Sequence, residues 1–173
     1  MRDTKKLYVI AAVCLFVFIT CIYFWPTPVR KDLRNLRSSV KIVDEYFQEI
    51  IAEVKTWEAT LNIKNQTLAA NSFMSELQYG VNQVIVPKTK QAVAVLELTE
   101  LTTPEVIAIR DEIIASLTLY SDASEQVLVA FKANDKKVLD EAEQTMSQAT
   151  QAMDKSANDF RSLARKNHYI YFD

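Results

Sequence analysis

A chain of 173 residues with a single glycine, Gly80, has few ways to turn sharply. Average usage near ~7% would supply about a dozen glycines over this length. Hairpins and tight turns draw on glycine for backbone conformations with positive φ. A chain this poor in glycine must turn corners seldom, and that predicts an all-α fold of a few long helices joined by short corners.

The second constraint is the run Leu7 to Trp25, which carries no charge and only one clearly polar side chain, Thr20. At ~1.5 Å per residue it reaches ~28 Å as a helix, close to the ~30 Å hydrocarbon core of a bilayer. Tyr8 stands near one end and Tyr23, Phe24 and Trp25 at the other, where amphipathic rings favour the headgroup level. A cleaved signal peptide has a shorter apolar core and a small-residue cleavage site, whereas Phe24-Trp25-Pro26-Thr27-Pro28 follows here. Neither Cys14 nor Cys21 is preceded by a lipoprotein-type motif. The expectation is an uncleaved, single-pass signal anchor over 7–25, with a short basic tail at 1–6. Basic residues flank both sides, Arg2, Lys5 and Lys6 before it and Arg30, Lys31, Arg34 and Arg37 after it. Long domains translocate largely regardless of charge. The favoured orientation therefore places the N-terminus in the cytoplasm and the domain outside, with the reverse left open.

Charge and residue inventory narrow the function classes. The formal net charge is −2, and Arg2, Lys5 and Lys6 against Asp3 leave the remainder of the chain near −4. An acidic domain without a basic stripe is a poor nucleic-acid binder, so no nucleic-acid partner is expected. There is one histidine, His168, and both cysteines lie in the apolar run. Zinc sites and carboxylate-bridged di-iron bundles need more ligands than that, so neither metal nor cofactor is expected. Asp44, Glu45, Glu49, Glu53, Glu141 and Glu143 follow the polar faces of helices and read as solvated rather than catalytic. No catalytic residue is assigned, and the chain is not expected to be an enzyme.

Beyond a Pro-containing connector over 26–30, hydrophobic spacing sets out a bundle over 31–167. From Lys31 to Asn62, the residues Leu33, Leu36, Val40, Val43, Phe47, Ile50, Val54, Trp57 and Leu61 alternate in threes and fours, a coiled-coil-like heptad seam. Ile42, Tyr46 and Ile51 widen that stripe, which favours a multi-helix bundle with Trp57 in its core. Asn65-Gln66-Thr67 makes a corner and also matches the N-glycosylation acceptor pattern. A second helix is expected from Asn65 to Glu100, kinked at Pro87 or broken there into two shorter pieces. Thr102 to Glu105 reads as a helix start, with Thr103 as cap ahead of Pro104, or Thr102 and Glu105 as a capping box. The third helix buries Val106, Ile109, Ile113, Leu117, Tyr120, Val127 and Phe131. It ends at Asn134 in the left-handed conformation, and Asp135 caps the fourth. That last helix carries Leu139, Ala142, Met146, Ala149, Met153, Ser156, Phe160 and Leu163.

Four antiparallel helices in up-down-up-down order bring the end of the last helix and the corner after the second back to the start of the first. The candidate membrane-interface contacts at that end are Trp25, Arg30, Lys31, Arg34, Arg37, Arg165, Lys166 and, in the aromatic tail over 168–173, Tyr169, Tyr171 and Phe172. The expected partners are membrane lipid and a protein partner or second copy of the chain. The function expected is that of a non-enzymatic interaction or scaffold subunit of a membrane or envelope complex. An extracytoplasmic ligand-sensing bundle that signals through a partner chain is the alternative.

Overall fold

The computed structural model describes residues 27–64 and 70–169, with the side chains of 57–64 and 70–72 excepted. The apolar run over 7–25, the Asn65-Gln66-Thr67 corner, the Trp57 side chain, Trp25, Tyr171 and Phe172 lie outside what is described. Among the described residues the structure consists of helices and short corners, with no strand. Its elements are α1 (Pro28–Lys64), α2 (Ala70–Tyr79), a π-helical turn (Gly80–Ile85), α3 (Val86–Glu97), α4 (Pro104–Ala133) and α5 (Lys136–Lys166). Because α2, the π turn and α3 follow one another without a break, they act as one helix, and the bundle has four among the described residues. No helix among the described residues is long and apolar enough to cross a membrane.

α1 starts earlier than its hydrophobic seam. Pro28 takes the first helical position, where a missing N–H costs nothing, and Thr27 Oγ1 accepts from the Arg30 amide at 3.3 Å. The expected connector over 26–30 is thus helical from Pro28 onward. Of the seam, Leu33, Leu36, Val43 and Ile50 are buried, while Val40, Phe47 and Val54 are half-buried against the same core. Ile42 and Ile51, expected to widen the stripe inward, instead face solvent at 44% and 36% exposure. Tyr46 alone of the three packs against the core, with the Lys88 ammonium 5.2 Å from its ring centre.

The helix through Pro87 neither ends nor reverses. The Val86 amide bonds to Val81 O, five residues back instead of four. Such a widened turn inserts one residue just ahead of the proline, where the ring would otherwise press on the preceding turn and no N–H exists to close it. Gly80 opens this turn, buried and with negative φ, so its use is not a left-handed turn. The helix is therefore not broken at Pro87 into two separate pieces.

Residue pairs give the directions of the helices. Asn35 meets Glu100, Ser39 meets Thr99 and Glu49 meets Lys88, so α1 and α3 run antiparallel. Glu112 pairs with Lys155 across antiparallel α4 and α5. Arg30 reaches Asn167, and Asp32 reaches Thr103, which gathers the start of α1, the start of α4 and the end of α5 at one end. The core falls into two clusters along this axis. The first, at the Asp32 end, holds Leu33, Leu36, Leu96, Val106, Ile109 and Leu117. The second holds Ile50, Leu77, Val81, Ile85 and Leu128, with Phe73 and Phe131 edge to face at 5.4 Å.

Two helix ends behave as the residues predict. Asn134 is left-handed at φ 51°, and the Asp135 amide bonds back to Ala130 O at 2.9 Å. Asp135 Oδ1 then accepts from the amides of Lys137 and Val138 at 3.0 and 3.2 Å. The start of α4 does not. Thr103 has the extended backbone of a cap but makes no side-chain capping bond, and Thr102 forms no box with the exposed Glu105. Asp32, from the first turns of α1, does the capping instead. Its Oδ2 accepts from Thr103 N at 2.6 Å, Thr102 N at 2.7 Å and Thr102 Oγ1 at 3.1 Å. A carboxylate satisfies helix-terminal amides more strongly than a neutral hydroxyl and complements the positive end of the helix dipole.

Candidate functional site

α5 presents two kinds of side chain to its neighbours. Ala142, Ala149 and Ser156, at seven-residue intervals, are buried, whereas the larger Met146, Met153 and Phe160 beside them are only half-buried. The facing helix α4 buries Ser116, Ser121, Ala123, Ser124 and Ala130. Small residues on both helices let the backbones approach, and α4 and α5 lie close along their length. Ser116, Ser124 and Ser156 satisfy their hydroxyls on the carbonyls of Glu112, Tyr120 and Ala152, so none disturbs this contact. Drawn onto α4, α5 stands off from α1.

The resulting cleft has a volume of about 340 Å³. α1 lines it with Arg37, Val40, Val43, Asp44 and Phe47, α4 with Ile113 and Leu117, and α5 with Met153, Ser156, Ala157, Phe160 and Arg161. Its floor is apolar. Ser156, the one polar residue there besides the charged side chains, is fully buried and already donates to Ala152 O at 3.0 Å. The charges sit on the rim and are ordered along it. Arg37 and Arg161 lie toward the Asp32 end, and Asp44 lies ~10 Å further along α1 at ~1.5 Å per residue. Arg161 is exposed and donates to Asn158 Oδ1 at 3.1 Å. Phe47 stacks obliquely on Tyr120, with ring centres 6.3 Å apart, and burial pushes the Tyr120 hydroxyl above its ordinary pKa of 10.0.

The predicted membrane-interface residues gather at one end but do not act alike. Arg30 donates from Nε to Asn167 O at 2.7 Å, placing a cation on the negative end of the α5 dipole. Lys31, Arg34, Arg165 and Lys166 are exposed beside it, and Arg37 is half-buried at the cleft. Tyr169 turns back after a left-handed His168, bonds to Ala164 O at 2.9 Å and packs on the first core cluster. This ring therefore covers part of the core, whereas the sequence placed it among the membrane-interface contacts. The α3–α4 corner at the same end carries exposed Glu97, Glu100 and Glu105, with Leu98 between them 83% exposed. The basic collar is therefore one-sided, cationic at α1 and α5 and acidic at the corner.

Burial opposes a charge on Asp32, but the donors of Thr103 and Thr102 outweigh it and hold the carboxyl below its ordinary value of 3.8. Thr103 Oγ1 stands close enough to favour that charge, yet makes no hydrogen bond of its own. Elsewhere, Asp44, Glu45, Glu49, Glu141 and Glu143 are exposed and Glu53 is half-buried. No group of acidic, histidine or cysteine side chains among the described residues could hold a metal ion. The cleft was not assigned from the sequence, although the small-and-large alternation on α5 is visible there. No family model, curated protein or solved structure matches the chain.

Proposed function

We propose that this chain is a membrane-tethered, non-enzymatic binding module whose working surface is the cleft between α1 and α5. In this reading, residues 7–25 form a single-pass anchor with the N-terminus cytoplasmic, followed by an up-down-up-down bundle outside. The observation that carries the proposal is the contrast along α5, where Ala142, Ala149 and Ser156 are buried while Met153 and Phe160 are left half-buried in the lining of the cleft. Apolar side chains arranged in a concave strip are what a binding surface offers. Asp44, Glu45, Glu49, Glu141 and Glu143 are exposed, which favours solvated carboxylates over an acid and base held together. Protein partners and a second copy of the chain both fit the module reading. The ordered charges on the rim, Arg37 and Arg161 at one end and Asp44 beyond them, favour the ligand-sensing form of it.

The test places photoreactive benzoylphenylalanine at Val40, in the full-length chain in its native membrane. A discrete adduct at Val40, and none at the exposed Ala94, is the expected result. Equal capture at both positions, or capture at neither, contradicts the proposal.

A further inference from the structure

We propose that the occupant of the cleft is a single-chain amphiphilic carboxylate, a fatty-acid-type molecule drawn from the bilayer to which the chain is tethered. This rests on the reading of the cleft as a binding surface. Three features of the cleft point to this ligand. The floor is apolar, and its only hydroxyl, on Ser156, is spent on Ala152 O. A ligand body needing polar partners there would leave them unmet, at the cost of its desolvation, so the body must be hydrocarbon. The rim then selects one polar end. Arg37 from α1 and Arg161 from α5 flank the cleft at the same end, and guanidinium donors match a carboxylate. Asp44, further along, repels an anion entering the other way round.

Dimensions agree with this choice. From Arg37 to Phe47 the strip runs ~15 Å along α1, at ~1.5 Å per residue. A cleft of about 340 Å³ is small for a pocket and suits one medium-length acyl chain better than a two-chain lipid. Position agrees as well, because the arginine end is the end at which α1 begins, at Pro28, and so in this reading the end nearest the anchor. A carboxylate leaving the bilayer meets the arginines first, and its chain lies away from the membrane against Phe47 and Met153.

The experiment uses the full-length chain in nanodiscs of dialkyl-ether phosphatidylcholine, which release no fatty acid. The probe is a medium-chain fatty acid with a diazirine at its methyl end. Labelling is expected on peptides bearing Phe47 and Met153. The unlabelled acid should compete at least about tenfold better than its methyl ester, the loss expected when a charge-assisted contact is removed. In the double variant Arg37→Gln, Arg161→Gln that preference should disappear while helicity by circular dichroism is unchanged. If the variant does not fold, the acid-to-ester ratio on the native chain decides alone. Equal competition by acid and ester, or labelling only near Arg161 and Phe160, overturns the proposal. If the acid labels no cleft peptide while benzoylphenylalanine at Val40 captures a protein, the amphiphile inference fails and the binding-module reading stands. If both probes miss the cleft, both fail.

Discussion

Replacing Asp32 tests how the bundle is fastened. The carboxylate is 1% exposed and holds the two amides that open α4. Asp32→Ala leaves the Thr103 amide without an acceptor in a buried place, while Thr102 is exposed and can turn to water. One orphaned buried donor costs ~1–3 kcal/mol, and a lost helix cap ~0.5–2 kcal/mol. Allowing for their overlap, the variant should lose ~1–4 kcal/mol, a sizeable part of the ~5–15 kcal/mol of a typical domain. Asp32→Asn keeps an acceptor oxygen but not the charge, and should lose ~1–2 kcal/mol. Urea unfolding of segment 27–173, followed by circular dichroism, measures both. The pH dependence has a fixed sign. Because the folded-state pKa is held below 3.8, the unfolded state takes up the proton first as pH falls. The contribution is fully present above the ordinary value of 3.8 and is lost as pH drops through the lowered one. The stability gap between native chain and Asp32→Asn should therefore be constant near neutrality and narrow in acid. A loss below about 0.5 kcal/mol for Asp32→Ala, within the range of ordinary surface changes, refutes the capping argument. So does a gap that stays unchanged in acid.

Three further outcomes follow from the packing. Ala149→Leu inserts bulk into the α4–α5 contact and should cost ~1–3 kcal/mol in the same titration. Asn134→Gly, at φ 51°, should be neutral or slightly stabilising, whereas Asn134→Val should cost ~1–2 kcal/mol because a branched side chain clashes in the left-handed region. In sealed vesicles of known orientation, protease added from the extracytoplasmic side should digest the bundle. Protection until the vesicles are opened would reverse the proposed topology.

Much of the fold was legible because helical periodicity is a local signal. The α1 seam, the Asn134 and Asp135 corner and the return of α5 to the start of α1 all follow from spacing and turn chemistry. What was not legible depends on which neighbour a residue meets. Asp32 sits one residue before Leu33 on the inner face of α1, but only the bundle shows that α4 begins opposite it. Pro87 announces a disturbed helix, yet the π turn that absorbs it depends on hydrogen-bond register and leaves no mark in residue type. Ile42 and Ile51 look like core because apolar, but their angle on α1 leaves both exposed. The cleft was missed for the same reason. The α5 pattern lists Ala149 and Met153 as equal members of one seam, and only packing separates Ala149, fully buried, from Met153, half-buried at the cleft.

That separation can be measured directly by cysteine labelling on one helix. In full-length chains with Cys14 and Cys21 replaced by serine, Met153→Cys places a thiol in the cleft. Ala149→Cys, one turn away on α5, places it in the contact with α4. A maleimide reagent should label position 153 orders of magnitude faster, because position 149 is reached only when the bundle opens. An amphiphilic carboxylate should slow labelling at 153 and leave 149 unchanged. Equally slow labelling at both positions would show the seam between α1 and α5 closed, and no cleft would be left to bind anything.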